Sequence, residues 1–431
     1  VSAEIVVLLV VFVGLLILNV PVAVAIGVSA LAMIATLGHV PTAFLMAERM
    51  SNGINSFPLL AIPFFVLSGV LMGQGGMARR LMDFAAAMVG RLPGGLAYVN
   101  TLSCMLFGAV SGSAAAAVSS IGGFMIPQMK EKGYSKEFAV ALTATSATTG
   151  LLIPPSNIMI VYAVVSGGVS VAGLFMAGVV PGMLIGFLLM VASAVLMRVG
   201  GHSKAGVAQV PRFWPALFGA LPSLLLIFIV LGGILGGVFS PTEASAIAVA
   251  YAVVLGGFFY RQLGWADVPK ILLIAAKTTS VVMLLIGASQ AMSWVLTYEN
   301  IPQMVSEAML TLSHNPLMVF LLINVLLLLV GTFMDMTPAV LIFTPIFLPV
   351  VVELGMHPVH FGIMMIANLC IGLCTPPVGT CLFVGCSVGG TTIARTTLPA
   401  IPFFLAMLVG LLLVTYVPWF SMALPGWLNL F

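Results

Sequence analysis

Apolar runs long enough to cross a lipid bilayer follow one another along almost the whole of this chain, with very little charge between them. Leu321 to Val330, interrupted only by Asn324, is typical. A hydrocarbon core of ~30 Å takes ~20 helical residues to cross. Inside it every backbone N–H and C=O must be satisfied by the chain itself, so only helices and closed barrels can span it. Barrel strands alternate apolar and polar residues in short segments, whereas these runs are continuous, so helices are expected. Charged residues make up 6% of the 431, and the mean hydropathy is +1.25. A soluble domain carries about 25% charge, which excludes a soluble enzyme. A net charge of +3 from 14 Lys and Arg cannot build a nucleic-acid-binding stripe. The 26 Pro and 45 Gly are spread among apolar runs, unlike a disordered chain. The fold class expected is an all-α polytopic membrane protein.

Single spans are expected near 5–36, 54–75, 171–197, 214–237, 242–260, 271–298 and 398–419, the first kinked at Asn19-Val20-Pro21. Four further stretches are broken in the middle: 92–128, 137–167, 316–352 and 360–390. No basic start with a small-residue cleavage site is visible, so Val1 onward reads as mature structure. With the Lys130–Lys136 loop in the cytoplasm, thirteen of the fourteen Lys and Arg fall on that side, Lys204, Lys277 and Arg395 among them, and only Arg49 falls outside. This follows the positive-inside rule only if 92–128 and 316–352 are re-entrant hairpins. The N-terminus is then expected in the cytoplasm and the C-terminus in the periplasm.

The two halves echo each other. Gly150-Leu151-Leu152-Ile153-Pro154-Pro155 matches Gly372-Leu373-Cys374-Thr375-Pro376-Pro377, Gly167-Gly168 matches Gly389-Gly390, and Ile126-Pro127 matches Leu348-Pro349. In each half a polar break, Ser111-Gly112-Ser113 or Asp335-Met336-Thr337-Pro338, precedes the double proline. The loop 130–136 holds three lysines, while its counterpart 353–360 has no Lys or Arg, so the repeats are inverted. Residues 1–222 are the first repeat (hairpin 92–128, broken helix 137–167). Residues 223–431 are the second (hairpin 316–352, broken helix 360–390). Inverted repeats with interrupted helices are the architecture of secondary transporters.

Each Pro-Pro pair removes two backbone donors and clashes with the preceding turn, and forces the residue before it out of the α region. The helix must break, leaving free carbonyls at one end and free N–H groups at the other. Such backbone is tolerated at membrane depth only against protein or around a polar cavity. Ser111, Gly112 and Ser113 form one opposing tip; Asp335, Thr337 and Pro338 form the other. Unwound carbonyls and hydroxyls suit a hard cation such as sodium, and half-helix N-termini suit a carboxylate. Plain small-residue helix packing is the alternative for the Ser-Gly-Ser tip, and capping of its own helix the alternative for Asp335. Ser240-Pro241-Thr242-Glu243 reads as a capping box. Asn157 and Asn368 either meet substrate or satisfy broken backbone. Arg395 reads as an orientation anchor. His39, His202, His314, His357 and His360 fall in loops, which favours sodium over proton coupling. Cys104, Cys370, Cys374, Cys381 and Cys386 read as small apolar fillers, not disulfides or metal ligands, and the 27 Met as core packing.

No Gly-Lys-Ser or Gly-Lys-Thr occurs, so no P-loop is present, and there is no His-Glu-x-x-His. Gly108-Ala109-Val110-Ser111-Gly112 has a spacing one residue too long for an intramembrane serine protease, and no histidine is expected in a membrane segment to act as its base. An intramembrane enzyme and a channel are the alternatives from other classes.

At these residues the chain resembles the large membrane subunit of the tripartite ATP-independent periplasmic (TRAP) transporters. The resemblance rests on an ordered set: Leu60-Ala61-Ile62-Pro63-Phe64-Phe65 with Gly69, Ser111-Gly112-Ser113-Ala114, Ile126-Pro127-Gln128-Met129 with Gly133-Tyr134, Ile153-Pro154-Pro155-Ser156, and Leu174-Phe175-Met176-Ala177-Gly178 with Pro181-Gly182. It continues with Pro241-Thr242-Glu243-Ala244, Met334-Asp335-Met336-Thr337-Pro338, Pro345-Ile346, Phe361-Gly362, Asn368 and Thr375-Pro376-Pro377-Val378-Gly379. It implies an inverted-repeat elevator-type transporter of the bacterial inner membrane, with hairpins and broken helices as a transport domain against a scaffold. It also implies sodium-driven import of an organic acid, a periplasmic substrate-binding protein, a separate small four-helix membrane subunit, and no cofactor besides sodium as coupling ion. One sodium would lie between the Ser111, Gly112, Ser113 tip and Gly150, Ile153, Pro154 and Ser156. Another would lie between Gly331, Asp335 and Thr337 and the break at Thr375, Pro376 and Val378. Substrate would meet Ser113, Ser156, Asn157, Thr337, Gly379 and Thr380. A stand-alone sodium–carboxylate symporter of the same fold is the nearest alternative.

Overall fold

The computed structural model describes residues 3–18, 20–38, 41–199, 210–312 and 315–430. Asn19, His39, His202, Lys204 and His314 lie outside the described residues. Among the described residues, eight helical stretches are long and apolar enough to cross a membrane.

The chain opens with a correction to the single kinked span expected over 5–36. It forms two helices, α1 (Ala3–Ile17) and α2 (Val22–Thr36), packed against each other. The cause is local: Pro21 sits at the N-cap of α2 with φ −53° and ψ 133°, an extended geometry that starts a new helix rather than bending an old one. The segment carrying Arg49 is also helical, as α3 (Thr42–Ile54). A short 3-10 turn over Phe57–Leu60 leads into α4 (Ala61–Gln74), and α5 (Met77–Val89) is amphipathic. It buries Met77, Leu81, Met82 and Ala85 and leaves Arg79 and Asp83 exposed.

Next comes a helical hairpin, α6 (Gly95–Ser111) and α7 (Ala114–Glu131), which turns at Gly112 with φ +61°. The first broken helix follows as α8 (Lys136–Thr148), a 3-10 turn over Thr149–Leu151, and α9 (Asn157–Val165). Long helices α10 (Val171–Val199), α11 (Phe213–Leu235), α12 (Pro241–Val253) and α13 (Val268–Tyr298) come next, α12 ending in a π-helical turn over Val254–Phe259. The expected capping box starts α12: Glu243 N–H donates to Ser240 Oγ at 3.3 Å, and Ser240 N–H donates to Glu243 Oε2 at 2.8 Å.

The order then repeats. Amphipathic α14 (Ile301–Leu312) precedes a second hairpin, α15 (Pro316–Phe333) and α16 (Met336–Glu353). A second broken helix, α17 (Pro358–Gly372) and α18 (Thr380–Gly389), is followed by α19 (Ile393–Tyr416) and the short α20 (Trp419–Trp427). The order α5 to α10 thus recurs as α14 to α19.

Packing interlocks the two halves. Half-helix α9 packs on hairpin arm α16 of the other half, and α18 packs on α7 and α8. Likewise α10 packs on α17, and α19 on α8. The thiol of Cys370 donates to the carbonyl of Thr148 at 3.3 Å, a separation of 222 residues, the same as between Gly150 and Gly372. These two residues are each other's counterparts. An element that touches its own counterpart lies on the two-fold axis relating the copies, so the pseudo-axis passes between them.

Within each half, a hairpin arm crosses the end of the broken helix through two glycines. A Cβ on Gly150 would stand 2.4 Å from Gly108 Cα, and one on Gly372 would stand 2.7 Å from Gly331 Cα. Small residues that let backbones approach replace the hydrophobic driving force that lipid does not supply.

The cationic loops gather at one end of the molecule. Lys136 Nζ donates to Gly390 O at 2.7 Å, Tyr134 hydroxyl to Met197 Sδ at 3.5 Å, and the Arg80 guanidinium lies 3.5 Å over the Tyr260 ring. Neighbours Lys130, Lys132, Arg198, Arg261 and Arg395 follow. Elsewhere α9 is tied to the start of α17 by Tyr162 hydroxyl donating to Pro358 O at 2.6 Å. Gly372→Ala is expected to destabilise the fold by about 1–3 kcal/mol, as overpacking does. Thermal unfolding in a fixed detergent checks it, and an unchanged melting temperature would contradict the backbone crossing.

Candidate functional site

Both helix breaks fall at the double prolines. The first runs from Leu152 to Ser156 and the second from Leu373 to Gly379, each with a cis Pro-Pro bond (Pro154-Pro155 and Pro376-Pro377). The first hairpin tip rests on the first break: a Cβ on Gly112 would lie 3.4 Å from Pro155 O and 3.5 Å from Asn157 Nδ2. The second hairpin is bonded to the second break, with Val378 N–H donating to Thr332 O at 3.3 Å.

Between these units lies a cavity of about 340 Å³, within the range of small-molecule sites. Ser111, Gly112 and Ser113 line it from the first tip, Asp335 and Thr337 from the second. Asn157 reaches it from the first break, and Thr380 from the second. The starts of α7, α9, α16 and α18 therefore converge on one space. Helix N-termini carry about half a positive charge each. Among the described residues no Lys or Arg lines the cavity, and Asp335 is the one Asp or Glu that does. Helices α9, α16 and α18 begin without a side-chain cap. Only α7 is capped, by Ser113, whose Oγ accepts from Ala116 N–H at 3.3 Å.

Asp335 occupies the N-cap position of α16 without a side-chain capping bond of the usual kind. It is exposed to the cavity, and its Oδ1 accepts from the Thr380 hydroxyl at 3.4 Å. That bond joins the second tip to the second break. Ser111 Oγ turns toward Ser113 O at 3.4 Å. Ser156 is buried, and neither its Oγ nor Asn157 Oδ1 has a hydrogen-bond partner. A buried polar atom without a partner is costly. Two on adjacent residues, beside the unpaired backbone of a helix break, are the oxygen donors a hard cation takes.

Neither Ser156 nor the remaining candidates line the cavity. Gly150 and Gly331 form the backbone crossings. Ile153 packs toward Gly182 of α10, Pro154 is buried and Pro376 half-buried. Thr375 hydroxyl donates to Ile371 O at 2.8 Å, Val378 is exposed, and Gly379 takes φ +35° to start α18.

Sequence reasoning passed over a buried polar chain behind the second hairpin. Asn368 Nδ2 donates to Asn324 Oδ1 at 2.9 Å and Asn324 Nδ2 to Thr415 Oγ1 at 3.0 Å. Asn368 thus meets hairpin backbone and side chain, and does not line the cavity. His360 corrects the expectation that the histidines lie in loops. It is inside α17, 3% exposed, bonded to Ser421 Oγ and to Thr415 O. Asn324, a lone polar residue inside an apolar run, was the visible signal. The cysteines are buried, and Cys374, like Cys370, donates to a carbonyl of α8, that of Ala144, at 3.3 Å.

Helical hairpins and paired helix breaks around a shared cavity are the architecture of a secondary membrane transporter. The family model described as the tripartite ATP-independent periplasmic transporter, DctM component, matches residues 9–420. The chain is 48% identical over 415 residues to the Salmonella typhimurium protein YgiK, covering 96% of this chain and 95% of that one. It is 43% identical over 385 residues to the C4-dicarboxylate TRAP transporter large permease DctM of Pseudomonas aeruginosa, covering 89% and 90%. It is 41% identical over 412 residues to the isethionate TRAP transporter permease DctMQ of Oleidesulfovibrio alaskensis, covering 95% of this chain and 65% of that one. The crystal structure of the Alcanivorax borkumensis YdaH transporter shares the fold, with TM-score 0.58, 16% identity, and coverage of 84% and 86%. The chain belongs to the DctM family, the large inner-membrane permeases of TRAP transporters.

Because Ser156 Oγ has no partner, Ser156→Ala is expected to change stability in potassium buffer by less than about 0.5 kcal/mol. Thermal unfolding measures this, and a loss above about 2 kcal/mol would show a bond that the geometry lacks.

Proposed function

We propose that the protein takes up an organic acid anion by sodium coupling, receiving it from a periplasmic binding protein and working beside a small membrane subunit. The convergence of four helix N-termini on one cavity without a lysine or arginine supports this reading. N–H groups at those ends match a carboxylate or sulfonate, and the carbonyl ends of the breaks with Ser156 and Asn157 match sodium. Cation and anion together neutralise the load, which lowers the cost of carrying it through a low-dielectric barrier. Relatives named for C4-dicarboxylate and isethionate transport carry anions of that chemistry.

In this reading α6–α9 and α15–α18 move as the transport domain against the remaining helices. The hairpins are re-entrant, the Lys130–Lys136 end faces the cytoplasm, and the C-terminus is periplasmic. The expected cytoplasmic N-terminus rested on one crossing over 5–36. With α1 and α2 as two passes, the N-terminal side becomes periplasmic.

Proteoliposomes holding this chain, its small subunit and the binding protein should accumulate substrate under an inward sodium gradient and not under potassium. Efficient uptake of free substrate by this chain alone would favour the stand-alone symporter. Asp335→Asn is expected to raise the sodium concentration for half-maximal uptake about tenfold, the change that loss of one charge-assisted contact brings; unchanged sodium activation would remove Asp335 from the cation site.

A further inference from the structure

The cavity has two unlike walls. One is made of the tips and half-helix ends already described. The other is contributed by α4 and α13 through Ile62, Val66, Val70, Ile274, Thr278 and Val282. Five of these six are aliphatic. The hydroxyl of the sixth, Thr278, donates to Ile274 O of its own helix at 3.0 Å. Among the described residues, α4 and α13 therefore bring no free side-chain donor for an anionic group, and the polar lining comes from the hairpins and the breaks.

We infer that this site selects a compact monoanion, a monocarboxylate or monosulfonate whose body carries an aliphatic flank, over dicarboxylates and polyhydroxy sugar acids. The inference rests on the sodium-coupled reading of the same site. A carboxylate turned toward the aliphatic wall would lose its hydration without replacement, a cost of several kcal/mol. A sugar acid would leave hydroxyls unpaired against the same surface.

The full chain in lipid nanodiscs can be titrated calorimetrically in sodium buffer with 2-hydroxy-3-methylbutanoate, succinate and gluconate. The branched monoanion is expected to bind at least tenfold tighter than either of the others. Val282→Lys, which places a cation on the aliphatic wall, is expected to bring succinate to within threefold of it. Succinate or gluconate binding as tightly as the monoanion to the unaltered chain would overturn the inference and leave the sodium-coupled reading standing. Monoanion preference of equal strength in potassium would support the inference and remove sodium from the reading. Binding of none of the three would overturn both.

Discussion

Two proline pairs dictate the rest of this structure. Each interrupts a helix where lipid would penalise every unpaired backbone group, so the surrounding chain must supply partners or a polar space. The hairpins do both. Gly112 lets the first tip lie on Pro155 and Asn157, and Thr332 accepts from Val378 of the second break. The two tips and the starts of α9 and α18 then line a shared cavity. The site is therefore built from main-chain dipoles with one carboxylate, and it stays hospitable to a charged load while holding little fixed charge of its own.

Close backbone contact keeps those dipoles in register. The Gly108–Gly150 and Gly331–Gly372 crossings fix each tip against its break. The Cys370–Thr148 contact at the pseudo-two-fold axis fixes the halves against each other. Each half-helix packs on the other half's hairpin, so neither repeat can complete the cavity alone. The Asn368–Asn324–Thr415 chain adds polar bonds behind the second hairpin, ending beside His360. In a low-dielectric interior such bonds are strong, and they tie α15 to α17 and α19, while Asn368 Oδ1 is left without a partner.

The breaks, the tips and the repeat were legible because their causes are local: a proline pair acts on its own helix wherever the helix goes. The capping box at Ser240 was legible for the same reason. Pro21 shows the limit, since the sequence signals an interruption but not whether the chain bends or starts afresh; the cap geometry decided it. The glycine crossings and the placement of His360 depend on residues far apart in the chain, and periodicity carries no distance. Ser156 and Thr375 were equally good oxygen donors on paper. In the structure Ser156 is left without a partner, while Thr375 bonds back to Ile371, a difference that only the local turn geometry creates. The amphipathic helices α3, α5 and α14 were missed because they are short and carry charge, and so fall below any span-length criterion.

The central claim is that main-chain helix ends, rather than basic side chains, hold the anion. A density map of the sodium- and substrate-loaded assembly tests it directly. The expected result is an acidic group of the substrate within hydrogen-bond distance of N–H groups at the starts of α7, α9, α16 or α18, with a cation beside Ser156. An anion seated instead on a lysine or arginine away from this cavity would contradict the account.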